Sequence, residues 1–213
     1  MRTEPKSWSS GLNWLPLTEE SREDLSSRVG VINERYVVDE HTVMEAAALS
    51  FYPDSLQLIR LKSTEWKKEN LHLYYLKNGD NIYRLNGTSP PIHEVNARAP
   101  IALNTSNFLD YLRFFCFFVR GEEGPYLILE SLDQPEIQEI TDATKRARLE
   151  KHAYPARLNE IDDEGDAMIA AIVWHGDSVF AARFKIHPDG RVVMIDDEII
   201  DPELAVSVQA PIT

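Results

Sequence analysis

The alternation of hydrophobic and polar positions changes period several times along the chain, and each change marks a predicted element. Thr18, followed by Glu19 and Glu20, has the form of a helix N-terminus. A side-chain oxygen there caps free amides, and carboxylates meet the positive end of the helix dipole. This helix runs to about Gly30 on a thin apolar stripe, Leu25 and Val29. Thr42-Val43-Met44-Glu45 is a capping-box pattern ahead of an Ala-rich run, predicting a second helix over 42–50 that Pro53 closes. From residue 56 the periods shorten. Segments 56–61, 71–76 and 82–85 read as strands, and Lys77-Asn78-Gly79-Asp80 as the turn of a hairpin, because Asn-Gly supplies positive φ angles. Residues 86–104, with Ser89-Pro90-Pro91 early in them, read as loop.

Asn104-Thr105-Ser106-Asn107 offers several N-caps to the run that follows, Phe108 to Val119, where only Asp110 and Arg113 are charged. An apolar pattern all round a helix predicts a buried one. The aromatic content leaves strand as the alternative for 114–119; the caps and a length of twelve residues favour helix. Arg120 to Gly124 reads as a tight turn, 125–129 as a short strand, and 132–153 as a polar stretch holding either a surface helix over 142–151 or a linker. The last third is an antiparallel meander. It comprises strands at 154–161, 167–174, 179–186 and 191–195, the last two joined by the turn His187-Pro188-Asp189-Gly190. The predicted fold is therefore α+β, mainly antiparallel sheet, packed on a buried apolar helix at about 106–119. It places one domain at 17–200, with any internal break at 132–153. Residues 1–16 read as a flexible tail that Trp8 and Trp14 can anchor, and 201–213 as a second tail.

Composition narrows the function classes. The chain has 213 residues and a net charge of −13. Residues 1–100 carry 12 basic and 14 acidic side chains, whereas 101–213 carry 10 and 21, so the second half is the acidic one. That distribution argues against nucleic acid and anionic lipid and favours a basic partner, with solubility as the simpler explanation. The single cysteine excludes an internal disulfide framework. With no signal-peptide pattern and no apolar run of about 18 residues, the expected compartment is the cytoplasm. Cys116, between Phe114-Phe115 and Phe117-Phe118, reads as a core residue, since apolar surroundings suppress the thiolate.

No phosphate-binding glycine loop, nucleophile elbow or zinc-helix motif occurs. The candidates for chemistry are His93 and Glu94 beside the Pro-Pro pair, with Asn96 close behind, and Glu122 and Glu123 beside Arg120. A histidine next to carboxylates can act as general base or metal ligand. Trp174 and His175 end a strand and can line a pocket. Asp196 and Asp197 end another, where acids meet a cation or blunt a sheet edge. The turn 162–166 is acid-dense but lacks the spacing of a calcium loop.

Two readings follow. The first is a non-enzymatic binding or accessory module for a basic protein partner, or for self-association through the sheet. The second is a small hydrolase or lyase using His93, Glu94, Glu122 and Glu123, with no cofactor predicted, a divalent metal ion compatible with those ligand types, and a small molecule as substrate or ligand.

Overall fold

The computed structural model describes residues 2–3, 7–32, 38–66 and 71–208. It is an α+β fold built on antiparallel sheet. The chain opens with β1 (Arg2–Thr3), α1 (Ser7–Ser10), β2 (Leu15–Pro16) and α2 (Glu19–Ile32). Thr18 caps α2 as expected, its hydroxyl accepting from the Ser21 amide at 3.3 Å. Strands β3 (Val43–Ala48), β4 (Leu56–Lys62), β5 (His72–Asn78) and β6 (Asn81–Leu85) follow, and β2 to β6 form a five-stranded sheet in sequence order. The β5–β6 turn lies one residue later than the Asn-Gly reading put it. Asn78 pairs with Asn81, and Gly79, at φ +55°, takes the first central position.

Residues 42–50 are a correction, because they form β3 rather than a helix. Thr42, read as an N-cap, instead bonds back to the Asp39 carboxylate at 3.1 Å. Met44 and Ala46 then fall on the face that α2 covers with Leu25 and Val29. The segment 86–104 is a second correction. It contains helix α3 (Pro90–Arg98), which starts on the two prolines and buries Ile92 and Val95.

Helix α4 (Phe108–Phe118) forms where predicted and is buried almost all round. One continuous apolar cluster joins Leu58, Tyr74 and Leu76 of the first sheet, through Phe114 and Phe118 of α4, to Ile169, Val173 and Phe184 of a second sheet. After α4 come β7 (Arg120–Gly121), β8 (Gly124–Pro125), β9 (Leu127–Ile128), α5 (Pro135–Gln138) and α6 (Ala143–Glu150). Ile137, Ile140 and Leu149 pack on Trp174 and Val179, so 132–153 docks on the second sheet.

That sheet comprises β10 (Arg157–Ile161), β11 (Ala167–His175), β12 (Ser178–Ile186) and β13 (Val192–Asp201), in that order. β9 lies beside β11 on the side that β10 also uses. β13 runs six residues beyond the predicted end at Ile195. Both segments expected as tails touch the body. Trp8 packs on Phe114, Phe117 and Phe118, Leu204 and Val206 are buried, and Arg2–Thr3 pair in parallel with β14 (Ser207–Val208). No helix among the described residues is long and apolar enough to cross a membrane.

Candidate interaction surface

Strand register decides what the second sheet presents. Ile169, Ala171 and Val173 of β11 face α4, so Met168, Ala170 and Ile172 face the other way. The pairings carry that outer face across the strands in two rows. One is Arg157, Ala170, Arg183 and Asp196; the other is Ile172, Ala181 and Glu198. Helices α5 and α6 cover the outer face only at its Trp174 end. Beyond them the small side chains of Ala170 and Ala181 leave a groove of about 440 Å³, with Tyr154 and Arg157 at one end and Asp196 and Glu198 at the other.

The charges there are partly matched. Arg183 donates to Asp196 at 2.6 Å, a pair in which both side chains are more than half exposed, so water and salt screen it. The Arg157 guanidinium lies 4.3 Å over the Tyr154 ring. Neither the Asp197 nor the Glu198 side chain makes a hydrogen bond or ion pair among the described residues, although both residues sit in the ladder with β12.

β13 is the last strand of its sheet, and among the described residues no strand pairs with its outer edge. Its register against β12 shifts twice, at Ile195 and Ile200. Such bulges twist an edge strand. Val193, Met194, Ile195, Ile199 and Ile200 are between 36% and 56% exposed. A ten-residue strand thus shows aliphatic side chains on both sides of Asp196-Asp197-Glu198, next to unpaired backbone groups.

The other candidate residues are distributed over the fold. His93 and Glu94 lie on α3, where the His93 ring is 6.1 Å from Phe115 and Glu94 pairs with Arg98 at 2.9 Å. Asn96 is enclosed in a structural network. It accepts from the Tyr52 hydroxyl at 2.5 Å and donates to the Tyr111 hydroxyl and the Asp189 carbonyl, both at 3.1 Å. Arg120 follows α4, its amide donating to the Gly87 carbonyl, and burial pushes its pKa down to about 10. Trp174 is fully buried among Leu127, Leu149 and Val179, which removes it from any surface contact. Burial also pushes the Cys116 thiol up to about 12, in keeping with a core cysteine.

The structure does bring Glu123 and His175 to one place. Glu123 lies against Gly176, which takes φ +57°, a backbone conformation that favours glycine. His175 stacks on Tyr126 at 4.2 Å, and its Nδ1 is 3.1 Å from the Pro125 carbonyl, which assigns the proton to Nδ1. No hydrogen bond or ion pair links this place to His93 or Glu94, and among the described residues no three His, Cys, Asp or Glu side chains are grouped to hold a metal ion.

The acids of β13 are legible in the sequence, but Ile199 and Ile200 are not legible as their strand neighbours, because Asp196-Asp197-Glu198 interrupts the apolar pattern that marks the strand. The groove is not legible either, because alanines on a strand carry no signal until the register assigns them a face. No family model, curated protein or solved structure matches this chain.

Proposed function

We propose that this protein is a binding module that takes a basic, extended segment of a protein partner as an added strand along β13. The observation that supports this is the outer edge of β13, which no strand among the described residues pairs with and where exposed aliphatic side chains flank an acidic centre. Edge strands of native proteins are ordinarily short, bulged, charged or covered. β13 carries two bulges and an acidic centre, but it is ten residues long, its terminal Asp201 is held by Arg148, and aliphatic side chains stand exposed along it. Strand addition draws affinity from main-chain hydrogen bonds and specificity from alternate side chains. The acidic centre selects lysine and arginine in the incoming strand. It disfavours a second copy, because antiparallel self-pairing about residue 197 sets acids against acids.

The test is a fluorescence-anisotropy titration with a labelled ten-residue peptide alternating Lys and Val, against a Glu/Val peptide of equal length. The Lys/Val peptide is expected to bind saturably, and Asp197→Lys with Glu198→Lys to weaken it about tenfold or more. Equal binding of the acidic peptide, or no effect of the two reversals, would sink the proposal.

A further inference from the structure

We infer that the cavity between α1, α4 and β9 binds a small neutral aromatic molecule that carries a carbonyl oxygen. This site shares no lining residue with the β13 edge.

The cavity holds about 240 Å³. An apolar cavity of about 150 Å³ takes up benzene, so this one has room for a single ring with a substituent. Its aromatic walls are Trp8 of α1, Phe117 of α4 and Tyr126 just ahead of β9. The Trp8 and Phe117 rings touch, with centroids 5.5 Å apart and planes inclined at 49°, whereas Tyr126 meets neither and forms a separate wall. These walls are held in place. The Trp8 indole N–H donates to Asp110 at 3.3 Å, and the neighbouring Ser9 hydroxyl lies 3.2 Å from the Tyr74 hydroxyl. Tyr126 is stacked on His175 at 4.2 Å. Rings set at an angle to one another offer an aromatic guest both edge and face contacts, which a saturated ring cannot use.

Of the charged and amide side chains at the lining, Arg113 is the one with a donor left over. Glu130 is engaged at both oxygens, Oε2 by Arg113 Nε at 2.7 Å and Oε1 by Arg113 Nη2 at 2.9 Å and the Ala156 amide at 3.1 Å. Gln134 accepts from the Glu130 and Ser131 amides and donates to the Ile128 carbonyl. Arg113 Nη1 has no hydrogen-bond partner among the described residues. Charge decides what it takes. The acids beside Arg113, Asp110 and Glu130, outnumber it, and the chain carries a net charge of −13. A carboxylate would have to share Arg113 with Glu130 against that field, and an ammonium would meet the guanidinium. A neutral carbonyl oxygen accepts from Nη1 at neither cost.

The test is a titration of the full chain with benzamide, following the methyl resonances of Leu127 and Ile128, both on the lining, and the Trp8 indole N–H. All are expected to shift saturably. Toluene lacks the carbonyl, benzoate and benzylamine carry charge of either sign, and cyclohexanecarboxamide lacks the aromatic ring; each is expected to bind about tenfold more weakly or worse. Ser131 is exposed at the lining, so the ring of Ser131→Phe fills the opening and is expected to abolish the shifts. Arg113→Met with Glu130→Gln removes the donor without stranding a carboxylate, and is expected to bring benzamide down to the affinity of toluene. The comparison of ligands on wild type needs no variant, so a double variant that fails to fold leaves the test intact.

Absence of shifts with benzamide overturns the site, and shifts that survive Ser131→Phe put the binding elsewhere and overturn it too. Toluene binding as well as benzamide overturns Arg113 as the anchor. Cyclohexanecarboxamide binding as well as benzamide overturns the aromatic requirement. Tighter binding of benzoate or benzylamine replaces the neutral ligand by an anion or a cation and overturns the assignment.

Discussion

Asp201 and Asp166 each hold one arginine or lysine and one histidine ring, and both are set for an acid-sensitive role. Burial alone pushes the Asp201 carboxyl up, but bonds from Arg148 (Nε at 2.8 Å) and His152 (Nε2 at 3.0 Å) outweigh it, so the net direction is down. Asp166 is lowered first by the Lys185 bond at 2.9 Å, against burial, and His187 at 2.7 Å adds to this. A carboxylate with a depressed folded pKa adds stability that is present above its unfolded value, about 3.9. That stability disappears as pH falls through the lower folded value. Asp201→Asn is therefore expected to lower the denaturation midpoint at neutral pH, and the gap to wild type to narrow as the pH falls below about 4. A gap that stays constant down to pH 2 would show that the charge is not what Asp201 contributes. Asn96 makes a contrasting case. Its removal leaves two buried tyrosine hydroxyls short of a partner, so Asn96→Ala is expected to cost about 1–3 kcal/mol. His93→Ala with Glu94→Ala should stay within about 0.5 kcal/mol, since their one ion pair is an exposed pair within a helix. Urea titration of both variants checks the ordering. The sequence could not separate Asn96 from His93, because Asn96 is fixed by Asp189, 93 residues away.

At the scale of elements, local signals succeeded where the chain's own period dictated the outcome and failed where a neighbour did. The α2 cap, the β5–β6 hairpin and α4 were all legible. β3 was not, because Ala and Met favour helix by only fractions of a kcal/mol per residue. That preference is overridden when 43–48 pairs along its whole length with β4 and its Met44 and Ala46 are buried under α2. The prolines of α3 point to a loop when read from sequence alone. At the first turn of a helix a proline loses no hydrogen bond and presets φ, and the spacing Ile92, Val95, Ala99 was the helical signal available. The central element carries the heaviest prediction. Phe114 is fully buried and meets the rings of Trp8, Phe51, Tyr111 and Phe118. Phe114→Ala is expected to cost about 3–5 kcal/mol, measured as a shift of the urea midpoint at constant slope. A loss below about 1 kcal/mol would mean that the site collapses around the missing ring.

For the whole molecule, the question is why an edge as long as β13 does not recruit its own kind. Its acids were legible in the sequence. Their position on a free edge was not, because edge status depends on which strands the rest of the chain supplies. The same residues between two strands would have been read identically. Two features oppose copy-to-copy pairing. The second half of the chain carries a net charge of −11, and Asp197 and Glu198 sit mid-edge with no ion-pair partner among the described residues. Both are electrostatic, so both weaken with ionic strength as the screening length falls from about 10 Å at 0.1 M salt to about 3 Å at 1 M. The aliphatic side chains on either side are indifferent to salt. Asp197→Asn with Glu198→Gln leaves shape, strand length and the Arg183–Asp196 pair in place and removes only charge. In sedimentation velocity at low salt, that variant is expected to gain mass with concentration while wild type does not, and about 1 M salt should move wild type in the same direction. If the variant sediments like wild type at every concentration, the acids are not what keeps β13 free for a partner. The protection would then have to come from the twist that the bulges at Ile195 and Ile200 impose on the strand.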